Sequence, residues 1–193
     1  SGETIQLQLS NATIVEGNVG ITTPLATATI SDIDQSLNFS VSVDDEGAES
    51  PGTAVGISEE NLADNAATFT VSLSGALNAG NSASVELAFP GTATDNVDYT
   101  AAFEAAIAAA TGSGISYNST TNVLTFTAGG ASSISFTLTA VNDDLLDSGE
   151  TIQLQLSNAT IVEGNVGITT PLATATISDI DQSLNFSVSV DDE

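Results

Sequence analysis

The residues able to do chemistry in this chain are carboxylates, and almost nothing else. There are 25 Asp and Glu, no Lys, Arg or His, and no Cys or Met. No carboxylate can meet a side-chain cation, so each must be solvated, hydrogen-bonded or bound to a metal ion. Ten Asp and eight Glu fall within residues 36–182. They gather where strands are expected to end: Glu59-Glu60, Asp95 with Asp98, Asp143-Asp144 with Asp147 and Glu150, and Asp179 with Asp181. If the strands run the length of one domain, these segments share a pole. Two carboxylates 4 Å apart repel by about 4 kcal/mol at an effective dielectric of about 20. An all-oxygen cluster of this kind suits Ca²⁺, which takes roughly six to eight oxygen ligands, better than Mg²⁺, which keeps its waters. The competing reading is a set of solvated loop acids, as in a halophilic or marine protein. The spacing follows neither the EF-hand loop nor a GGxGxD nonapeptide. The weight rests on several segments converging where no basic partner exists.

The same composition excludes other functions. A formal charge of −25 rules out nucleic acid, whose binding needs protein cations. It rules out an anionic membrane surface for the same reason. Without Cys there are no disulfides or zinc thiolates. Nucleophilic triads need a base beside Ser or Cys, and His, Cys and Lys are all missing. A carboxylate pair could hydrolyse a glycosidic bond, but there is no Trp and only Tyr99 and Tyr117 to offer a sugar a platform. The chain is not expected to be an enzyme.

Strands must position these acids. Leu37, Phe39, Val41 and Val43 alternate with Asn38, Ser40 and Ser42. The same period of two runs through Phe69–Leu73, Val85–Phe89, Leu124–Phe126, Ile134–Leu138, Ile152–Leu156 and Ala173–Ile177. One face is then buried and the other wet, and Val, Ile, Phe and Thr suit a pleated surface. Short strands separated by Gly, Asn and Asp turns predict an all-β fold, an antiparallel β-sandwich of Ig-like, Greek-key type. One stretch breaks the pattern. Residues 101–110 are alanine-rich, Phe103 and Ile107 are four apart, and Thr111-Gly112 follows. A short helical insert is expected there. It either covers an open sheet edge or offers a partner a helix face.

Residues Ser148–Glu193 repeat Ser1–Glu46 letter for letter, at an offset of 147. Solenoid units repeat every 20–50 residues or so and cannot fold alone. A period of 147 instead predicts domains strung as beads. The expected organisation is 1–34 as the C-terminal part of a preceding repeat, 35–182 as one complete repeat, and 183–193 as the first strand of the next. Ser1 is then expected to be a cut through an array. The 1–34 overlap holds last strands without first ones. It is expected to be mobile or to dock by strand exchange with another copy, giving strand-swapped self-association.

Gly56-Ile-Ser-Glu-Glu60, Thr68–Ser74, Gly91-Thr-Ala-Thr-Asp-Asn-Val-Asp-Tyr99, Leu124–Ala128, Val141-Asn-Asp-Asp-Leu-Leu-Asp-Ser-Gly-Glu-Thr-Ile152, Leu154–Ser157 and Ala175-Thr-Ile-Ser-Asp-Ile-Asp181 resemble, in order, the Calx-β motif. The resemblance implies a β-sandwich that binds Ca²⁺ at one pole. It would make Glu59, Asp98, Asp143, Asp144, Asp147, Asp179 and Asp181 ligands, with Glu150 added. Asp32 and Asp34 hold the places of Asp179 and Asp181 in the overlap. Two departures stand out: the insert near 101–110, and a closing Asp-Ile-Asp where the family has consecutive Asp. Identical Calx-β-like repeats without Cys are similar to the extender regions of giant bacterial RTX-type adhesins exported by type I secretion. That likeness implies an extracellular repeat of an outer-membrane-anchored adhesin, rigidified by Ca²⁺ and flanked by identical repeats, that projects a distal binding domain. The alternative is a repeat that itself binds a glycan, a surface or ice.

Overall fold

The computed structural model describes residues 3–30, 35–45, 50–143, 149–180 and 187–189. The chain divides into two compact units, Ser1–Asp34 and Gln35–Glu193. The strand expected over 183–193 falls almost wholly outside the described residues.

The first unit is an antiparallel hairpin of β1 (Glu3–Gln8) and β2 (Leu25–Ile30). Its register pairs Ile5 with Ala28 and Leu7 with Ala26. Both faces of this hairpin are exposed.

The second unit is a sandwich of two sheets. One runs in the order β4 (Ala54–Ser58), β12 (Leu172–Ser178), β10 (Thr151–Ile161), β6 (Ser82–Ala88), β8 (Val123–Thr127), β7 (Ile115–Asn118). The other runs β11 (Gly164–Thr170), β3 (Gln35–Asp45), β5 (Ala66–Leu73), β9 (Ser133–Thr139). The alternating residues fill the space between them. Phe39, Val41 and Val43 from β3 and Phe69 and Val71 from β5 are fully buried against Leu124 and Phe126 of β8 and Ile152 and Leu154 of β10. Phe39 meets Phe126 edge-on across the two sheets, with ring centroids 5.5 Å apart, a geometry aromatic pairs favour. The polar positions face out and join hydroxyls across strands. Thr68 meets Thr137 at 2.8 Å, Thr70 meets Ser135 at 2.8 Å, and Ser84 meets Thr125 at 2.9 Å. Such cross-strand pairs each add about 0.2–1 kcal/mol.

The sandwich is thus as expected, with one difference. Two pairings are parallel: β12 with β4 and β11 with β3. The second copy of the repeated sequence wraps around the body and leaves β11 and β12 beside strands from the other end of the domain. Gly164 makes this possible, because a Cβ there would sit 2.2 Å from the Gln35 carbonyl oxygen.

The alanine-rich insert is α1 (Phe103–Ala110). It packs on β9 and β7, the outer strands of the two sheets, so it lies over the open edge of the sandwich. Phe103 and Ile107 are its buried residues. Phe103 sits among Phe69, Phe89, Tyr99 and Phe136, with centroid distances from 4.5 to 5.9 Å. The helix stops at Thr111, whose backbone is extended and whose hydroxyl donates to the Ala108 carbonyl at 2.7 Å. Gly112 lies one residue further on.

Candidate metal centre at one end of the sandwich

Strand direction decides which acids can meet. β4 and β12 are parallel and in register, Ser58 against Ser178, so Glu59 and Asp179 leave the sheet at the same end. The Glu59 N–H donates to the Ser178 carbonyl at 3.2 Å. β10 runs the opposite way and starts there. The Ile177 N–H donates to the Glu150 carbonyl at 2.8 Å, and the Gly149 N–H to the Ile177 carbonyl at 2.9 Å. β9 ends there as well: Thr139 pairs with Ala66, and the Ala140 N–H reaches the Asn65 carbonyl at 2.7 Å. Asp143 lies three residues beyond that contact.

The loop after β6 reaches the same end. Its Ala93 N–H donates to the Thr151 carbonyl at 3.0 Å, and the Thr151 N–H to the Thr92 hydroxyl at 2.9 Å. The Gly91 backbone lies so close that a Cβ would fall 2.2 Å from the Thr151 oxygen. This loop carries Asp98, whose carbonyl accepts the Val141 N–H at 3.0 Å. Glu59, Asp98, Asp143, Glu150 and Asp179 therefore leave their strands and loops toward one end of the sandwich.

Two of the five are deeply buried: Glu59 is 2% exposed and Asp98 7%. Asp98 Oδ2 accepts the Thr94 N–H at 2.5 Å, which folds its own loop. A buried carboxylate is expensive unless charge or hydrogen bonds compensate it, and the chain supplies no side-chain cation.

Glu60 belongs to this pole too, and Asp44 and Asp45 join it beyond the segments the sequence singled out. Glu60 accepts the Ile180 N–H at 2.9 Å and the Ser58 hydroxyl at 3.2 Å, clamping the exits of β4 and β12 together. Asp44 and Asp45 end β3 opposite Thr68 and Ala67, at the start of β5. Asp44 Oδ1 is covered from solvent and meets no hydrogen-bond donor among the described residues. The signal for them was the Asp-Asp pair closing the longest alternating run.

Asp95, on the same loop as Asp98, has its carboxyl held above the usual range. Desolvation contributes most and the charge of Glu104 adds to it, against a hydrogen bond from the Phe103 backbone. Asp95 thus serves the start of α1.

Among the described residues, no three carboxylates group closely enough to hold an ion. Asp144, Asp147 and Asp181 lie outside the described residues, as do Asp32 and Asp34 of the overlap. The residues present fit a hard cation by their chemistry. They are all-oxygen donors from separate segments delivered to one end, two of them buried, and the Asp44 Oδ1 meets no donor among the described residues.

No helix among the described residues is long and apolar enough to cross a membrane. The sequence matches the Calx-beta domain over residues 51–106 and 103–182. No curated protein matches it. Among solved structures the chain is similar to the apo form of the Calx CBD1 domain, at 18% identity and a TM-score of 0.43, covering 75% of this chain and 98% of that one. It is similar to CBD12 from CALX1.2, at 20% identity and a TM-score of 0.41, covering 66% of this chain and 42% of that one. It is also similar to AggA, the major subunit of aggregative adherence fimbriae type I from Escherichia coli, at 9% identity and a TM-score of 0.40, covering 77% and 100%.

Proposed function

The chain belongs to the Calx-beta domain family, and on that premise we propose that it is a structural extender repeat whose acidic pole binds Ca²⁺. The observation that carries this reading is the convergence of Glu59, Asp98, Asp143, Glu150 and Asp179 at one end of the sandwich, in a chain of charge −25 without a side-chain cation. Ca²⁺ would supply positive charge and no reaction. Glu59 and Asp98 would meet it from the buried side, Asp179 and Glu150 from the ends of β12 and β10. Asp143, with Asp144, Asp147 and Asp181 from the sequence, would complete an oxygen shell. Asp44, whose Oδ1 is buried without a hydrogen-bond donor among the described residues, would be a further donor.

The pole is also where one unit hands over to the next. Asp179 and Asp181 precede a linker of Gln182 and Ser183, which is too short to act as a flexible Gly/Ser coil. An ion gripping those aspartates would fix the linker to the body. An array of identical units would then become a rod with one repeated angle. We place such a rod on the outside of a bacterial cell, in an outer-membrane-anchored adhesin, where calcium is millimolar and a distal domain must be held away from the surface. Its partners are the neighbouring identical repeats.

Small-angle scattering on four repeats in tandem tests this role. The array should be long in millimolar Ca²⁺ and shorter and more variable in chelator. The Asp179→Asn/Asp181→Asn variant in calcium should resemble the chelated form. Equal maximum dimensions in all three states would refute calcium stiffening.

A further inference from the structure

The letters of residues 1–34 occur twice, and the two copies have opposite surroundings. In the second copy Ile152, Leu154, Leu156 and Ile177 are at most 2% exposed. In the first, the same letters Ile5, Leu7, Leu9 and Ile30 are 46–65% exposed. The hairpin itself is the same in both. Ile5 faces Ala28 as Ile152 faces Ala175, and Leu7 faces Ala26 as Leu154 faces Ala173. The Leu9 N–H donates to the Pro24 carbonyl at 2.8 Å, and the Leu156 N–H to the Pro171 carbonyl at 2.7 Å. The backbone of β1–β2 is therefore already shaped as β10–β12 is shaped, while its apolar side chains face solvent.

What the first copy lacks is the body: β6 on one flank, β4 on the other, and β3 and β5 across the core. Residues 11–24 make no strand, whereas the equivalent 158–171 include β11, which forms on β3. In this chain the seat beside β6 and β4 is filled by β10–β12. One body and two hairpins of one sequence leave one hairpin over.

We propose that the apolar face of β1–β2 is a docking surface for a second copy of the body, residues 35–147. The hairpin would enter the seat that β10–β12 fills here, in the same register. The partner is identified by identity itself, since the second copy shows what those side chains pack against. The hairpin and that body would together complete one sandwich, whatever the acidic pole binds.

The test uses the absence of cysteine. Ala28→Cys and Ala175→Cys are made singly in the full chain, and again in the chain lengthened at its N-terminus by a second copy of residues 35–147. In the chain as it stands, the thiol at 28 should be labelled as fast as in denaturant and that at 175 slowly. In the lengthened chain the thiol at 28 should slow by about a hundredfold or more, since labelling follows the population of the open form. Calorimetry on the lengthened native sequence needs no variant, and its unfolding enthalpy should be about twice that of the original chain, because enthalpy scales with the folded length. Unchanged labelling at 28 together with unchanged enthalpy would overturn the proposal. So would protection at 28 in the original chain that grows with protein concentration while the thiol at 175 stays as slow as before, which would show spare hairpins covering one another rather than entering the seat.

Discussion

Glu59 donates its backbone N–H to the Ser178 carbonyl at 3.2 Å, so the strands that deliver Glu59 and Asp179 finish level with one another. These residues are 120 positions apart in the chain. A parallel pairing that no local pattern encodes places them together, and Glu60 secures it by accepting the Ile180 N–H at 2.9 Å.

Phe103 ties the insert to the core through four aromatic neighbours. Phe103→Ala should lose about 3–5 kcal/mol, the usual cost of emptying a buried aromatic site. Urea unfolding monitored by circular dichroism measures it. A loss below about 1 kcal/mol would mean that α1 is an appendage rather than the cover of the sheet edge.

Gly91 has no room for a side chain against Thr151. Gly91→Ala should force the loop off β10 and cost about 1–3 kcal/mol, as overpacking does. It should also weaken any calcium response, because Asp98 rides on that loop. Gly56→Ala is the control, since a Cβ there meets nothing within 4 Å. Equal melting of the two variants would contradict the close approach.

Much of this fold is legible in the sequence, and the reason is physical. Phe39, Val41 and Val43 alternate because one face of β3 is buried, and Phe103 and Ile107 are four apart because one face of α1 is. Period reveals which residues go inside. It does not reveal which strand lies beside which, so the parallel seats of β11 and β12 were not legible. Nor is burial a property of the letters: Leu7 and Leu154 sit in identical strings, 65% and 0% exposed. For the acids, the clustering of Glu59, Asp98, Asp143, Glu150 and Asp179 between strand-like runs is legible in the letters, because acids avoid the buried face of a strand. Asp44 was passed over because its partner at that end, the start of β5, is set by pairing across the sheet.

Tyr117 reports on the charge of Glu104. Burial first, and then the Glu104 carboxylate, push the phenol up from 10.0 to about 12. Its hydroxyl donates to Asn122 Oδ1 at 2.9 Å. In the unfolded chain the phenol ionises earlier. The stability it contributes is therefore complete below pH 10 and is lost as pH rises towards 12. Tyr117→Phe should flatten that loss in urea titrations at stepped pH. Glu104→Gln should lower the tyrosinate midpoint, read by ultraviolet titration in a Tyr99→Phe background. An unmoved midpoint would separate Glu104 from Tyr117.

The central claim is that the acidic pole holds Ca²⁺, and thermal melting of the unmodified chain in chelator and in millimolar Ca²⁺ tests it most directly. A ligand that binds only the folded state at a thousandfold excess over its Kd adds about 4 kcal/mol, which for a domain of this size is roughly 10 °C in Tm. The chain should melt at least that much higher in calcium, and Glu59→Gln/Asp179→Asn should lose most of the gain while melting as the unmodified chain does in chelator. Coincident melting curves for the unmodified chain in the two solutions would contradict the account and leave the carboxylates as solvated surface charge.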